Sequence, residues 1–168
     1  TVQNILEYSS GITNRVRAIT KQIEAANSKA KVAVTRKHFP GTKTISLNAA
    51  LLGGAIVHRA GLSESILVFD QHRVFCKDPV SAVRMAKKQE PEKKIAVEVE
   101  NEEEGIQYIH AGADIIQCER FNPEALKAFV VKARNIRNDV IINAAGGIND
   151  TNAYEYALTC ADVLVTSC

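Results

Sequence analysis

Arg36 and Lys37 follow an apolar run at 32–34 within the stretch KVAVTRKHFPGTK, and His58 and Arg59 follow another at 55–57. Runs with the composition of buried strands thus deliver cations at their tips. Such donors converging on one point suit carboxylates or phosphates, because a guanidinium binds either through paired hydrogen bonds. Glu100 and Glu119 close two further apolar runs. Carboxylates at neighbouring tips can hold sugar hydroxyls or a phosphate-bound Mg²⁺, an ion that usually takes only one or two protein carboxylates. Alternation puts Glu98 on the same face as Glu100, and Glu100, nearer the end of its run, is the expected participant. The segment AAGGIND places Gly146 and Gly147 after a late run and before a helical pattern, where bare backbone N–H groups can approach a phosphate. Thr166 and Ser167 end the last run and either add hydroxyl donors or simply terminate a strand. A competing arrangement pairs Arg36 and Lys37 with Glu100 and Glu119 in a structural ion network.

Positioning these residues requires a repeated unit. Apolar runs recur at 32–34, 66–69, 95–99, 114–117, 139–143 and 162–165, with AIV at 55–57 a weaker one that is strand or loop. Helical patterns lie between most of them. Asp78-Pro79 and Asn122-Pro123 each couple an N-cap residue with proline at the first helical position. Asn101 precedes three glutamates, acids favoured at a helix N-terminus, and Gly112 stops that helix. Before the first run, Ile5, Ile12, Val16, Ile19 and Ile23 recur at helical spacing from Gln3 to about Ser28, with Gly11 expected to mark close packing or a bend. Alternating near-continuous apolar strands and helices mean parallel β covered by helices. Neither GxGxxG nor GxxxxGK[ST] occurs, which disfavours a doubly wound nucleotide fold. The expected architecture is a TIM-like (β/α) barrel of six or seven strands, incomplete at both chain ends, with active groups gathered where the strands exit.

Composition sets the remaining bounds. Net charge is +2 and aromatics are 5% with no Trp, so neither a long-range pull toward nucleic acid nor a base-stacking surface is expected. The four cysteines form no CxxC pair or zinc spacing, and Cys118 lies in an apolar run, which reads as a reducing cytosol. No apolar stretch reaches membrane-spanning length. The chain starts at Thr1 within helical periodicity and stops at Cys168 beside an apolar run. Residues 1–168 therefore read as one barrel domain, part of a longer protein.

These pieces, in this order, resemble the barrel domain of the quinolinate phosphoribosyltransferase (nicotinate-nucleotide pyrophosphorylase) family: QNILEYSSGI, TRKHFPGTK, GGAIVHRAGLSESILVFDQH, VEVEN, GADIIQCERF, NAAGGIN and ADVLVTS. The resemblance implies transfer of phosphoribosyl from phosphoribosyl pyrophosphate to a ring nitrogen with Mg²⁺ and release of pyrophosphate, followed in the quinolinate enzyme by decarboxylation. It implies that Arg36, His58 and Arg59 bind substrate carboxylates and that Lys37 lies by the acid or the pyrophosphate. Glu100 and Glu119 would face ribose and metal, and Ala145, Gly146, Gly147 and Ser167 would hold the 5′-phosphate. It further implies a preceding N-terminal α/β domain, an arginine from that preceding segment, and a homodimer in the full-length protein. Three departures stand out: Phe69 where the quinolinate enzymes usually have lysine, Glu119 for their aspartate, and Ala145 for their serine. Phe69 cannot neutralise a carboxylate, which argues against quinolinate itself. LVFDQH and VLVTS are more similar to the ModD branch, named for association with molybdenum transport. A non-catalytic phosphate-binding role linked to molybdenum metabolism is the alternative. Another phosphate-handling barrel enzyme would need an acid/base pair that the sequence does not place.

Overall fold

The computed structural model describes residues 1–168. Its elements run α1 (Val2–Ala25), β1 (Lys31–Val34), α2 (Lys43–Leu52), β2 (Ile56–Val57), β3 (Ile66–Val68), α3 (Asp70–Arg73), α4 (Pro79–Gln89), β4 (Ile95–Val99), α5 (Glu102–Ala111), β5 (Ile115–Glu119), α6 (Pro123–Ile136), β6 (Ile141–Ala145), α7 (Ala153–Ala157) and β7 (Val163–Thr166). The helix starts follow their caps: Asp78, Asn101 and Asn122 accept from the backbone N–H of Ser81, Glu104 and Ala125. Gly112 ends α5 in the left-handed region at φ 95°, open to glycine at little steric cost.

Seven parallel strands form one sheet in the order β2-β1-β7-β6-β5-β4-β3. The first and last strands of the chain pair with each other, Val32 opposite Leu164 and Val34 opposite Thr166. The sheet curls into an α/β half-barrel whose opening lies between β2 and β3. Residues 58–65 join those two strands without a helix, a break in the strand–helix alternation. Period-two alternation sorts the side chains. Val32, Val97, Ile116, Ile142 and Leu164 face the helices in a core of 31 buried residues. Residues of the opposite parity point inward: Ala33, Ala145 and Val165 cluster there. The Cα register sets Glu98 beside Gln117 and Gln117 beside Asn143.

Three local expectations are corrected. Gly11 is exposed, and a Cβ there would meet nothing within 4 Å, so it marks neither close packing nor contact. α2 adds a helix that the sequence pattern did not single out. The helical pattern after Gly146-Gly147 yields only the five residues of α7, preceded by turns, so its dipole at the loop is small.

Two ion pairs brace the N-terminal ends of the strands. Lys87 binds Asp114 at 2.7 Å and Arg134 binds Asp162 at 2.6 Å, while the same carboxylates accept from Ile95 N and Ile142 N. Stabilising charge pairs thus sit at the end of the barrel opposite the predicted site.

Candidate active site

The strand exits surround one open cavity of about 1030 Å³. Arg36, Lys37, His58, Arg59, Glu119, Ala145, Gly146, Gly147 and Ser167 all line it. Glu100 does not, and here the expectation is corrected: Glu98 lines the cavity in its place. β4 ends at Val99, and Asn101 turns the chain into α5 by accepting from Glu104 N at 2.9 Å. Glu100 therefore lies beyond the last inward strand position, exposed, with its N–H donating to Glu104 Oε2 at 3.3 Å.

The cation arc is formed by Arg36 and Lys37 after β1, Lys43 at the start of α2, and Arg59 after β2. None has a carboxylate within 4.0 Å, so the competing ion network of Arg36 and Lys37 with Glu100 and Glu119 is absent. Arg59 is held to a carbonyl, Ser65 O at 3.4 Å, and Lys43 to Ala60 O at 3.3 Å. Burial, and then the neighbouring Arg36 charge, push the Arg59 pKa below its ordinary value, with Glu64 opposing. Uncompensated like charges held together are an arrangement that an anion completes.

Across the cavity, Gly146 and Gly147 adopt φ 91° and 78°. A Cβ on Gly146 would stand 2.6 Å from Arg120 Cγ and 2.8 Å from both Arg120 N and Glu119 Oε1. Asn149 and Asn152 both donate to Gly147 O, at 3.2 and 3.1 Å, and so fix the loop. The N–H groups of Gly146, Gly147 and Ser167 have no acceptor within the chain, leaving a set of backbone donors for an anion.

The floor between these arcs is polar. Gln117 Nε2 donates to Glu98 Oε2 at 2.6 Å. Burial raises the Glu98 pKa; the Gln117 hydrogen bond opposes this, and the Glu119 charge adds to it. Burial lowers the His58 pKa, against a contribution from Gln117 and with one from Arg59. Glu119 is spanned by Arg120 at 3.6 Å. Phe69 and Leu67 form an uncharged wall. Gln117, Lys43 and His38 are cavity residues that the sequence did not single out, and Glu98 is the one it set aside for Glu100. Gln117 had a visible signal, a polar side chain two positions before Glu119 inside an apolar run. His38 buries both ring nitrogens without a partner at the cavity wall.

Residues 12–168 match the family model described as quinolinate phosphoribosyl transferase, C-terminal domain. The chain belongs to that family. It is 41% identical to the "Putative pyrophosphorylase ModD" of Rhodobacter capsulatus, over 90% of this chain and 59% of the relative. It is 32% identical to the carboxylating nicotinate-nucleotide pyrophosphorylase of Dictyostelium discoideum, over 96% of this chain and 56% of that one. Among solved structures, the Francisella tularensis nicotinate-nucleotide pyrophosphorylase superposes with a TM-score of 0.85 at 30% identity, covering 95% of this chain and 55% of that chain. The chain spans a little over half the length of these relatives.

Proposed function

We propose that the cavity transfers a phosphoribosyl group from phosphoribosyl pyrophosphate to the ring nitrogen of a carboxylated heterocycle, with loss of pyrophosphate. The observation that carries this reading is one cavity faced by an unpaired cation arc, a glycine loop with free N–H groups, and carboxylates between them. In this reading Gly146, Gly147 and Ser167, with Ala145 beneath them, hold the 5′-phosphate. Arg36 and Arg59, beside His58, bind the acid, and Lys37 lies by the acid or the departing pyrophosphate. The ring nitrogen donates its lone pair to the sugar carbon as the carbon–oxygen bond to pyrophosphate breaks. Glu98 and Glu119 stabilise the positive charge that develops on the sugar, and the cations stabilise the leaving group.

No group of three or more His, Cys, Asp or Glu is placed to hold a metal alone. Glu119 at the cavity edge fits an Mg²⁺ that arrives on substrate phosphates and shares its coordination with them. Such an ion neutralises phosphate charge in the complex. Phe69 in the wall favours a monoacid over quinolinate, and it is also the observation behind the second reading, a phosphate-binding protein of molybdenum metabolism without catalysis. The exposed apolar side chains Val2, Leu6 and Leu52 along α1 and α2 suit a covered face, in line with a homodimeric full-length protein.

Pyrophosphate release tests the reading. The chain is incubated with phosphoribosyl pyrophosphate, Mg²⁺ and a panel of heteroaromatic mono- and diacids. Acid-dependent release, greater with monoacids than with quinolinate, is expected. Binding of phosphoribosyl pyrophosphate with no release for any acid would favour the second reading.

A further inference from the structure

α3 is one turn of four polar residues, Asp70, Gln71, His72 and Arg73, and has no apolar side chain with which to fasten itself to the barrel. It nevertheless carries part of the cavity, since Phe69, just before it, and Gln71, within it, both line the wall. Phe69 is tied to the turn: its N–H donates to His72 Nδ1 at 3.1 Å, and the two ring centroids lie 5.7 Å apart. What holds the turn is Arg73, whose side chain is only 10% exposed. Its guanidinium pairs with Glu104 Oε2 on α5 at 3.2 Å and lies 5.7 Å over the ring of Tyr108, one turn further along that helix. The other pair, with Asp70 at 3.1 Å, stays within the turn and fastens it to nothing else. Glu104 Oε2 is also the atom that accepts from Glu100 N at 3.3 Å. One guanidinium therefore joins the turn behind Phe69 to the strand end that follows Glu98.

We propose that Arg73 is a positioning residue for the acid subsite: clamped between Glu104 and Tyr108, it holds α3 so that Phe69 and Gln71 stand as a fixed wall against the acceptor ring. The acid half of this inference rests on the function proposed above; the placement of Phe69 does not. A preformed wall meets a planar heteroaromatic ring without first having to be ordered, which is how rigidity becomes affinity. The glycine loop and Ser167 follow β6 and β7, outside this set of contacts, so Arg73 serves the acid side of the cavity alone. Arg73→Met removes the clamp at similar bulk. It also removes an unsatisfied donor, because Arg73 Nε is buried without a partner, and it leaves the partly exposed Glu104 to water. The variant is therefore expected to fold.

Fluorine-19 NMR of the chain labelled with 4-fluorophenylalanine reads the wall directly. The chain has five phenylalanines, and Phe69 is assigned through Phe69→Leu. In Arg73→Met the Phe69 line is expected to move toward those of the exposed Phe39 and Phe75, while the buried Phe121 and Phe129 lines stay in place. A Phe69 line that does not move, or one that moves only together with Phe121 and Phe129, would overturn the role of Arg73. Calorimetry then separates acid from phosphate. Pyridine-3-carboxylate is expected to bind about tenfold more weakly to Arg73→Met than to the parent, the cost of ordering a released side chain or two on binding. Phosphoribosyl pyrophosphate with Mg²⁺ is expected to bind both within about twofold. Equal weakening of the two ligands, or unchanged acid binding, would overturn the acid half. A parent chain that binds no acid counts against the acid-binding function itself, while the fluorine spectra still decide whether Arg73 holds the wall.

Discussion

Gly146 packs so closely on Arg120 that a Cβ would lie 2.8 Å from the Arg120 backbone nitrogen, at a φ of 91° that side chains rarely adopt. The glycine is required by contact and by backbone conformation together. Gly146→Val should lower stability by about 1–3 kcal/mol, the range for a residue forced into the left-handed region. It should weaken inorganic phosphate or phosphoribosyl pyrophosphate binding by more than roughly tenfold where the chain still folds. Gly147, whose Cβ would meet nothing within 4 Å, separates the two effects: Gly147→Ala keeps the loop uncrowded and tests φ alone. Thermal melts and calorimetry on both variants check this.

Under the proposed function the cation arc serves the ligand and not the fold. Because Arg36 and Arg59 have no carboxylate partner, Arg36→Ala and Arg59→Ala should leave the unfolding midpoint unchanged or slightly raised. Each should weaken acid or pyrophosphate binding by about 10- to 100-fold, as for loss of a charge-assisted pair, with the affinity falling as salt rises. By contrast Arg134→Ala, which breaks the pair with Asp162 at 2.6 Å, should lower stability.

Glu98 and Glu100 are separated by the end of a strand. Glu98→Gln should abolish most pyrophosphate release while raising stability by roughly 1 kcal/mol, because burial disfavours its ionised form. Glu100→Gln, on an exposed residue outside the cavity, should change either quantity little. Parallel measurement of release and denaturation midpoints checks both halves.

That pair also marks where the sequence stopped being legible. Helix starts at Asp78, Asn101 and Asn122 were readable because a cap is a local event, and the parallel strands were readable because they are near-continuous apolar runs. Arg36, Lys37 and Arg59 of the cation arc were readable as basic residues just beyond β1 and β2, whereas Lys43, at the start of a helix with no clear pattern, was not. Which of two same-face glutamates enters the cavity depends on the residue at which β4 yields to the Asn101 turn, and alternation cannot supply it. β2, with two residues, is held by pairing to β1 and not by its own pattern. The opening between β2 and β3 follows from long-range pairing, in which Lys31 opposes Val163 across almost the whole chain.

Acid should destabilise the fold through His58. Its folded pKa is depressed by burial, with Arg59 adding to the effect and Gln117, itself bonded to Glu98, opposing it. The unfolded chain therefore takes up the proton first. This contribution to stability is full above about pH 6.5 and is lost as pH falls from there through the folded value. Denaturation midpoints at about pH 7.5 and about pH 5.5 should differ less in His58→Asn than in the parent. An equal difference in both would remove His58 from the account.

The central claim is that phosphate and acid meet across one strand-end cavity. A crystal structure of the chain with phosphoribosyl pyrophosphate and Mg²⁺ tests it most directly. The account predicts the 5′-phosphate on the Gly146, Gly147 and Ser167 amides, with the pyrophosphate toward Lys37 and the sugar between Glu98 and Glu119. A sugar phosphate bound away from Gly146, or a cavity left empty at saturating ligand, would contradict it.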